Sequence, residues 1–180
     1  MATLRVPVTK DDHAQGPEEA PVTLVEYGDY ECPHCGRAYP IVKRVQKHFG
    51  KNLRFVFRNF PLNEIHPHAE DAAEVAEFAA TQGKFWEMHD LIFENQQALG
   101  PETYARLTSS LKLPVSAMES ALEQGSFTDR VRSDFSGGVR SGVNGTPTFF
   151  INGQRHDDSF DHDVLIAAIE AAGAKKPVKK

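Results

Sequence analysis

The apolar positions of this chain follow two periods in turn. Val22-Thr23-Leu24-Val25-Glu26-Tyr27 is a short, β-branched run closed by Gly28 and Asp29, and it predicts a buried strand. Further on, Ala38, Ile41, Val42, Val45 and Phe49 recur at helical spacing and stop at Gly50. They predict a helix, with a kink at the internal Pro40. Residues 53–60 return to strand character, Phe and Val alternating against Arg54 and Arg58. The polar stretch before residue 20, with Gly16, Pro17 and the Glu18-Glu19 pair, reads as a mostly irregular lead-in.

Between residues 69 and 142 the pattern is helical throughout. Residues 69–80 place Ala72, Val75, Ala76 and Ala79 on one face, and Phe85, Met88, His89 and Ile92 mark the next helix. Pro101 opens another that carries Tyr104, Leu107 and Leu111. Ser116 and Glu119 fit a capping box, and Thr128 is placed to cap a helix containing Val131, Phe135 and Val139. Thr148-Phe149-Phe150-Ile151 followed by Asn152-Gly153 predicts a strand and a hairpin turn. A last helix over 164–172 has Asp161 or Asp163 as its cap and Gly173 as its stop. Strand, helix, strand, several helices, two strands and a helix make an α/β chain, read as one domain over 1–180.

Composition narrows the function classes. The chain has 180 residues, 40% apolar and 25% charged, the profile of a soluble globular domain. A net charge of -5 argues against a nucleic-acid partner, which calls for a basic surplus. The Lys-rich end, Lys175-Lys176-Pro177-Val178-Lys179-Lys180, reads as a frayed, solvated tail. No run approaches the roughly 18 apolar residues of a membrane span, so no stable membrane association is expected. The first residues lack the apolar core of a secretion signal, which predicts a cytoplasmic location, or a periplasmic one if a leader has been removed.

Two cysteines, three apart, are the whole sulfur chemistry available. A bridge across so small a loop constrains the unfolded chain little, so their value lies in reactivity or metal binding. Cys32-Pro33-His34-Cys35 falls where a predicted strand meets a predicted helix. There the unpaired first-turn N–H groups and the helix dipole favour a thiolate on Cys32. Cys35, a turn further in, is the resolving thiol. Pro33 fits the first turn because its missing N–H had no helical partner, and a protonated His34 adds a cation beside the sulfur. Glu31 opposes the thiolate unless it points to solvent. Glu26 lies in the first strand, six residues before Cys32; burial there raises a carboxyl pKa and suits it to take a proton from Cys35. Alternation alone leaves open whether Glu26 faces the core or solvent.

The CPHC sequence after a strand, together with Gly145-Thr146-Pro147-Thr148-Phe149-Phe150, resembles the DsbA family of thioredoxin-fold oxidoreductases. Lys84-Phe85-Trp86-Glu87-Met88-His89 is similar to the inserted helices of small bacterial DsbA-like proteins, and the likeness spans about residues 20–173. The resemblance implies a thioredoxin fold with an inserted helical subdomain between the second strand and the cis-proline loop. The core would take roughly 20–60 and 127–174, and the insertion roughly 61–126. It also implies that Thr146 pairs with substrate and Pro147, in a cis peptide, shapes the groove beside Cys32; an ordinary trans turn is the alternative. An acid at the spacing of Glu26 fits the same family.

The partners expected are protein or peptide thiols and disulfides, with a separate redox recycling partner, and neither an organic cofactor nor a metal. Two other classes compete. A metal-binding or redox-sensing module would need histidines to complete a zinc site, and His66 and His68 are the only close pair. A glutathione-dependent transferase or isomerase would find its adduct expelled by Cys35. His48, His89, His156 and His162 have no evident partners in sequence and are read as surface or helix residues. In a cytosol poised roughly 100 mV below a DsbA-type couple, about 4.6 kcal/mol favours the dithiol, so a cytosolic protein would act as a reductase and an exported one as an oxidase.

Overall fold

The computed structural model describes residues 2–177. Its five strands are β1 (His13–Gln15), β2 (Val22–Gly28), β3 (Leu53–Asn59), β4 (Thr148–Ile151) and β5 (Gln154–His156). They form one sheet in the order β1-β3-β2-β4-β5. The seven α-helices among the described residues are α1 (Pro33–Phe49), α2 (Ala69–Thr81), α3 (Phe85–Glu94), α4 (Pro101–Ser110), α5 (Val115–Glu123), α6 (Thr128–Arg140) and α7 (His162–Ala171). Two compact units share them: Met1–Gly28, Arg37–Arg58 and Gly137–Lys180 make the sheet unit, and Asp29–Gly36 with Asn59–Ser136 make the helical unit.

In the sheet unit, β2 lies inside the sheet, next to β3 and β4, and is buried on both faces, which is why its sequence is a run and not an alternation. Pairing with β4 sets Glu26 opposite Phe149 and Tyr27 opposite Thr148. Asn152 and Gly153, at φ 47° and 79°, supply the left-handed turn into β5 that their sequence predicts. Leu24, Tyr27, Phe49, Phe57, Phe150 and Leu165 are among the fully buried side chains of this unit. The helix through Pro40 is unbroken from residue 33 to 49.

The lead-in is more ordered than its composition suggests. His13–Gln15 pairs antiparallel with β3, and Thr3 bridges to Gln154. Arg58 is the reason. Alternation set it on a polar face, yet it is 3% exposed. Its guanidinium donates to both carboxylate oxygens of Asp12, at 2.7 and 3.0 Å, to the Val6 and Pro7 carbonyls, and to the Tyr27 hydroxyl at 2.9 Å. Burial alone would lower the Arg58 pKa; the bonds to Asp12 and Tyr27 outweigh it and hold the group firmly charged. A lead-in of low hydrophobicity is thus fastened by one fully satisfied cation.

The helical unit buries Ala72, Val75, Ala76, Ala79, Met88, Ile92, Tyr104, Leu107 and Met118, with Phe60 and Phe135 stacked at 4.2 Å. Three capping expectations are corrected. Pro114 holds the N-cap position of α5, which puts Ser116 inside the helix, where it cannot cap. Thr128 is itself the first residue of α6, not the one before it, and its hydroxyl donates to Glu74 Oε1 at 2.7 Å. Asp161 holds the N-cap position of α7 without a side-chain cap bond. At the chain end, Asn52 donates to the Lys175 carbonyl at 2.6 Å, so the Lys-rich segment is anchored at its start, while Lys179 and Lys180 lie outside the described residues.

Two stability measurements follow. Asp12→Ala leaves Arg58 charged, buried and without its anion, and is expected to lower unfolding free energy by about 3–5 kcal/mol in urea titration. Glu74 has the opposite problem: burial raises its pKa, and its Oε2 is without a partner. Because the folded state holds that proton more tightly, stability falls as pH rises above the ordinary carboxyl value of 4.5. Glu74→Gln should therefore be more stable than the parent at pH 7 and no more stable at pH 4, by thermal unfolding at both.

Candidate active site

Strand β2 ends at Gly28, and the next four residues turn the chain into α1. Cys32 stands immediately before the helix, and its carbonyl accepts the first intrahelical bond from Gly36 N–H at 3.0 Å. It therefore stands at the position before the first helical turn, whose N–H groups lack helical partners. No acidic residue lies in the first turn of this 17-residue helix to offset the dipole. Pro33 and His34 are exposed. Cys32 is 4% exposed and Cys35 is fully buried, with Asp29 N–H donating to its sulfur at 3.4 Å. Both cysteines are buried, Cys35 the more completely.

What holds the turn is Asp29, a residue the sequence offers only as a strand breaker. Its side chain is inaccessible to solvent. Oδ1 accepts from Glu31 N–H at 2.8 Å and Cys32 N–H at 3.1 Å; Oδ2 accepts from Leu62 N–H and lies 2.8 Å from His66 Nδ1. Glu31 does not point freely to solvent: its Oε2 accepts the His68 N–H at 2.6 Å. The His68 carbonyl accepts in turn from the Tyr104 hydroxyl at 3.0 Å, whose pKa burial raises first, and the charges of Asp71 and Glu31 after it. The phenol stays a neutral donor.

Gln96 braces the other side. Its Nε2 donates to the carbonyls of Tyr30 and Cys32, at 2.8 and 2.9 Å. Gly36 makes room for it, since a Cβ there would overlap the Gln96 amide. Tyr30 is buried with its hydroxyl 3.0 Å from His89 Nδ1. His89, read as a surface or helix residue, lies on α3 and is 3% exposed, ringed by Phe85, Trp86 and Phe93. The other histidines also have neighbours: Ser159 for His156, Asp163 for His162, and Glu170 at 3.9 Å from His48.

Of the residues singled out from sequence, the helical unit gathers Cys32, Pro33, His34 and Cys35. Glu26, Thr146 and Pro147 belong to the sheet unit. Glu26 is buried at 3% exposure on an interior strand, so the solvent-edge alternative does not apply. The Thr146–Pro147 peptide is cis. Asp29 had one local signal: an Asp three residues before a helix-opening residue is the spacing of a side-chain-closed turn. His66 and Gln96 lie 34 and 64 positions beyond Cys32, and nothing local announces them. Among the described residues no group of three or more His, Cys, Asp or Glu is placed to hold a metal ion.

The family model described as Thioredoxin matches residues 8–171, and the chain belongs to that family. Its fold is similar to those of several solved structures. Oxidised BdbD from Bacillus subtilis matches with a TM-score of 0.85 and 26% identity, covering 95% of this chain and 97% of that one. The α-DsbA1 of Wolbachia pipientis matches in fold, with a TM-score of 0.79 at 18% identity over 94% of each chain. In sequence, Na(+)/H(+) antiporter NhaA 1 of Salinispora arenicola is 46% identical over 172 residues, 95% of this chain but 26% of that protein. NhaA of Herminiimonas arsenicoxydans is 40% identical over 161 residues, 25% of its length. The chain spans about a quarter of the length of these curated relatives.

Gly36→Ala tests the brace. The added methyl forces Gln96 off the two carbonyls, with an expected loss of about 1–3 kcal/mol. In the double variant with Gln96→Ala the clash is gone, and chemical denaturation should show less than the sum of the single losses.

Proposed function

We propose that the chain exchanges disulfides with protein substrates through Cys32 and Cys35. The observation that carries this reading is the asymmetry at the start of α1: one cysteine immediately before the helix, the other sealed one turn deeper. The Cys32 thiolate attacks a substrate disulfide; the substrate S–S bond breaks, a mixed disulfide forms, and the departing substrate sulfur takes up a proton. Cys35, giving its proton to Glu26, then attacks Cys32, closes the Cys32–Cys35 bridge and releases the second substrate thiol. Run backwards, the same steps oxidise a substrate dithiol. His34 and Pro33 tune the nucleophile, and Thr146 and Pro147 bind the substrate backbone. Neither metal nor organic cofactor enters these steps.

Direction follows the compartment's poise: reductase in a reducing compartment, oxidase in an oxidising one, with a separate partner restoring the starting state. No helix among the described residues is long and apolar enough to cross a membrane.

Cys35→Ser is expected to accumulate mixed disulfides with protein substrates, seen on non-reducing gels and lost on adding dithiothreitol. Cys32→Ser should trap none and reduce insulin no faster than buffer. Equal trapping by both variants, or by neither, rejects the assignment.

A further inference from the structure

Asp29 poses a problem for the reaction just assigned. Its carboxylate is out of contact with water, and it is hydrogen-bonded to the backbone N–H of the attacking cysteine. A second anion formed nearby, on the Cys32 sulfur, is opposed by it, and burial weakens the screening that would soften the repulsion. The four acceptor positions of the ionised carboxylate are all in use: three by backbone N–H groups, the fourth by His66 Nδ1 at 2.8 Å. Three of those donors are neutral. His66 alone can bring a charge.

We propose that His66 is a positioning residue for the cysteine pair, acting through Asp29: its imidazolium cancels the buried carboxylate and so permits the Cys32 thiolate. The inference rests on the exchange reaction above. The Nδ1–H bond to Asp29 exists in both ring states, so protonation changes the charge of the pair and leaves its geometry alone. At 15% side-chain exposure His66 is partly open to solvent, whereas the Asp29 side chain is not. Asp29 also touches both sulfurs' surroundings, through its side chain to Cys32 N–H and its own N–H to Cys35 Sγ. A change in its net charge is therefore felt by dithiol and disulfide unequally. Glu31, bonded to the His68 N–H, is the other carboxylate on this turn, and His34 and His68 are the neighbouring imidazoles; none of them occupies an Asp29 acceptor position.

The sign is fixed by the chemistry. Oxidation by glutathione disulfide converts the protein dithiol to its disulfide and yields two glutathione thiols, removing the thiolate that His66 favours. In His66→Gln, which keeps a donor and loses the cation, the reduced form is less favoured. The oxidation equilibrium constant is expected to rise about tenfold, equivalent to about 30 mV toward reducing potentials. Alkylation of Cys32 by iodoacetamide should need a higher pH to reach half its maximal rate. In Asp29→Asn the constant should fall, and adding His66→Gln to that background should change it less than twofold.

Should His66→Gln fail to fold, His66→Asn takes its place with the same expectations. Wild-type protein that exchanges with glutathione, paired with a folded His66 variant of unchanged constant and alkylation profile, overturns the proposal while leaving the exchange activity standing. Wild-type protein that forms no Cys32–Cys35 disulfide at all overturns both. A His66 variant that loses only thermal stability, with potential and pH profile intact, assigns the residue a purely structural role and likewise overturns the inference.

Discussion

A carboxylate removed from water must have every lone pair occupied, and Asp29 meets that demand by drawing two separate stretches of chain to itself. From one side come the amides of Glu31 and Cys32, from the other the amide of Leu62 and the ring of His66. The demand is severe because an unsatisfied buried charge costs several kcal/mol. The turn that presents Cys32 is consequently not a loose loop between strand and helix. Its backbone is specified at each residue, with Gln96 holding the carbonyls and Asp29 the amides. A nucleophile whose two neighbouring peptide groups are both fixed enters exchange with little reorganisation left to do.

The same arrangement separates the two sulfurs chemically. Cys32 stands at the positive end of α1, while Cys35, with no exposed surface, accepts one amide from Asp29. In the proposed exchange this difference sets the order of events: the stabilised anion attacks first, and the shielded thiol acts only after a mixed disulfide has brought a sulfur to it. Asp29 is bonded beside both cysteines, through its carboxylate to the Cys32 N–H and through its own N–H to Cys35 Sγ.

A second buried charge organises the sheet unit by the same logic. Arg58 fills its five-donor guanidinium with Asp12, two backbone carbonyls and Tyr27, and the polar lead-in becomes the edge of a sheet because those acceptors lie on it. Hydrophobic burial alone would not hold residues 6–15, which carry few large apolar side chains. Directional bonding to one cation does.

Much of this protein is local and therefore legible in its sequence. Short β-branched and aromatic runs located β2 and β4, alternation located β3, and period-3.6 patterns located the helices, each to within a residue or two, because side-chain burial follows backbone geometry. The Asn152-Gly153 turn followed from a dihedral preference carried by two adjacent residues, and the junction of strand and helix at Cys32 from the same patterning. Capping at Ser116 and Thr128 misled, since a hydroxyl's choice among nearby partners depends on what else packs beside it. Only the tertiary structure decided which polar groups are buried. Arg58, His89, Asp29 and His66 read as surface, helix, breaker or loop residues in the chain, and each has a hydrogen-bond partner 31 to 59 positions away: Tyr27 for Arg58, Tyr30 for His89, and Asp29 and His66 for each other. Periodicity reports whether a position faces inward; it carries no information about which distant acceptor a buried donor will meet.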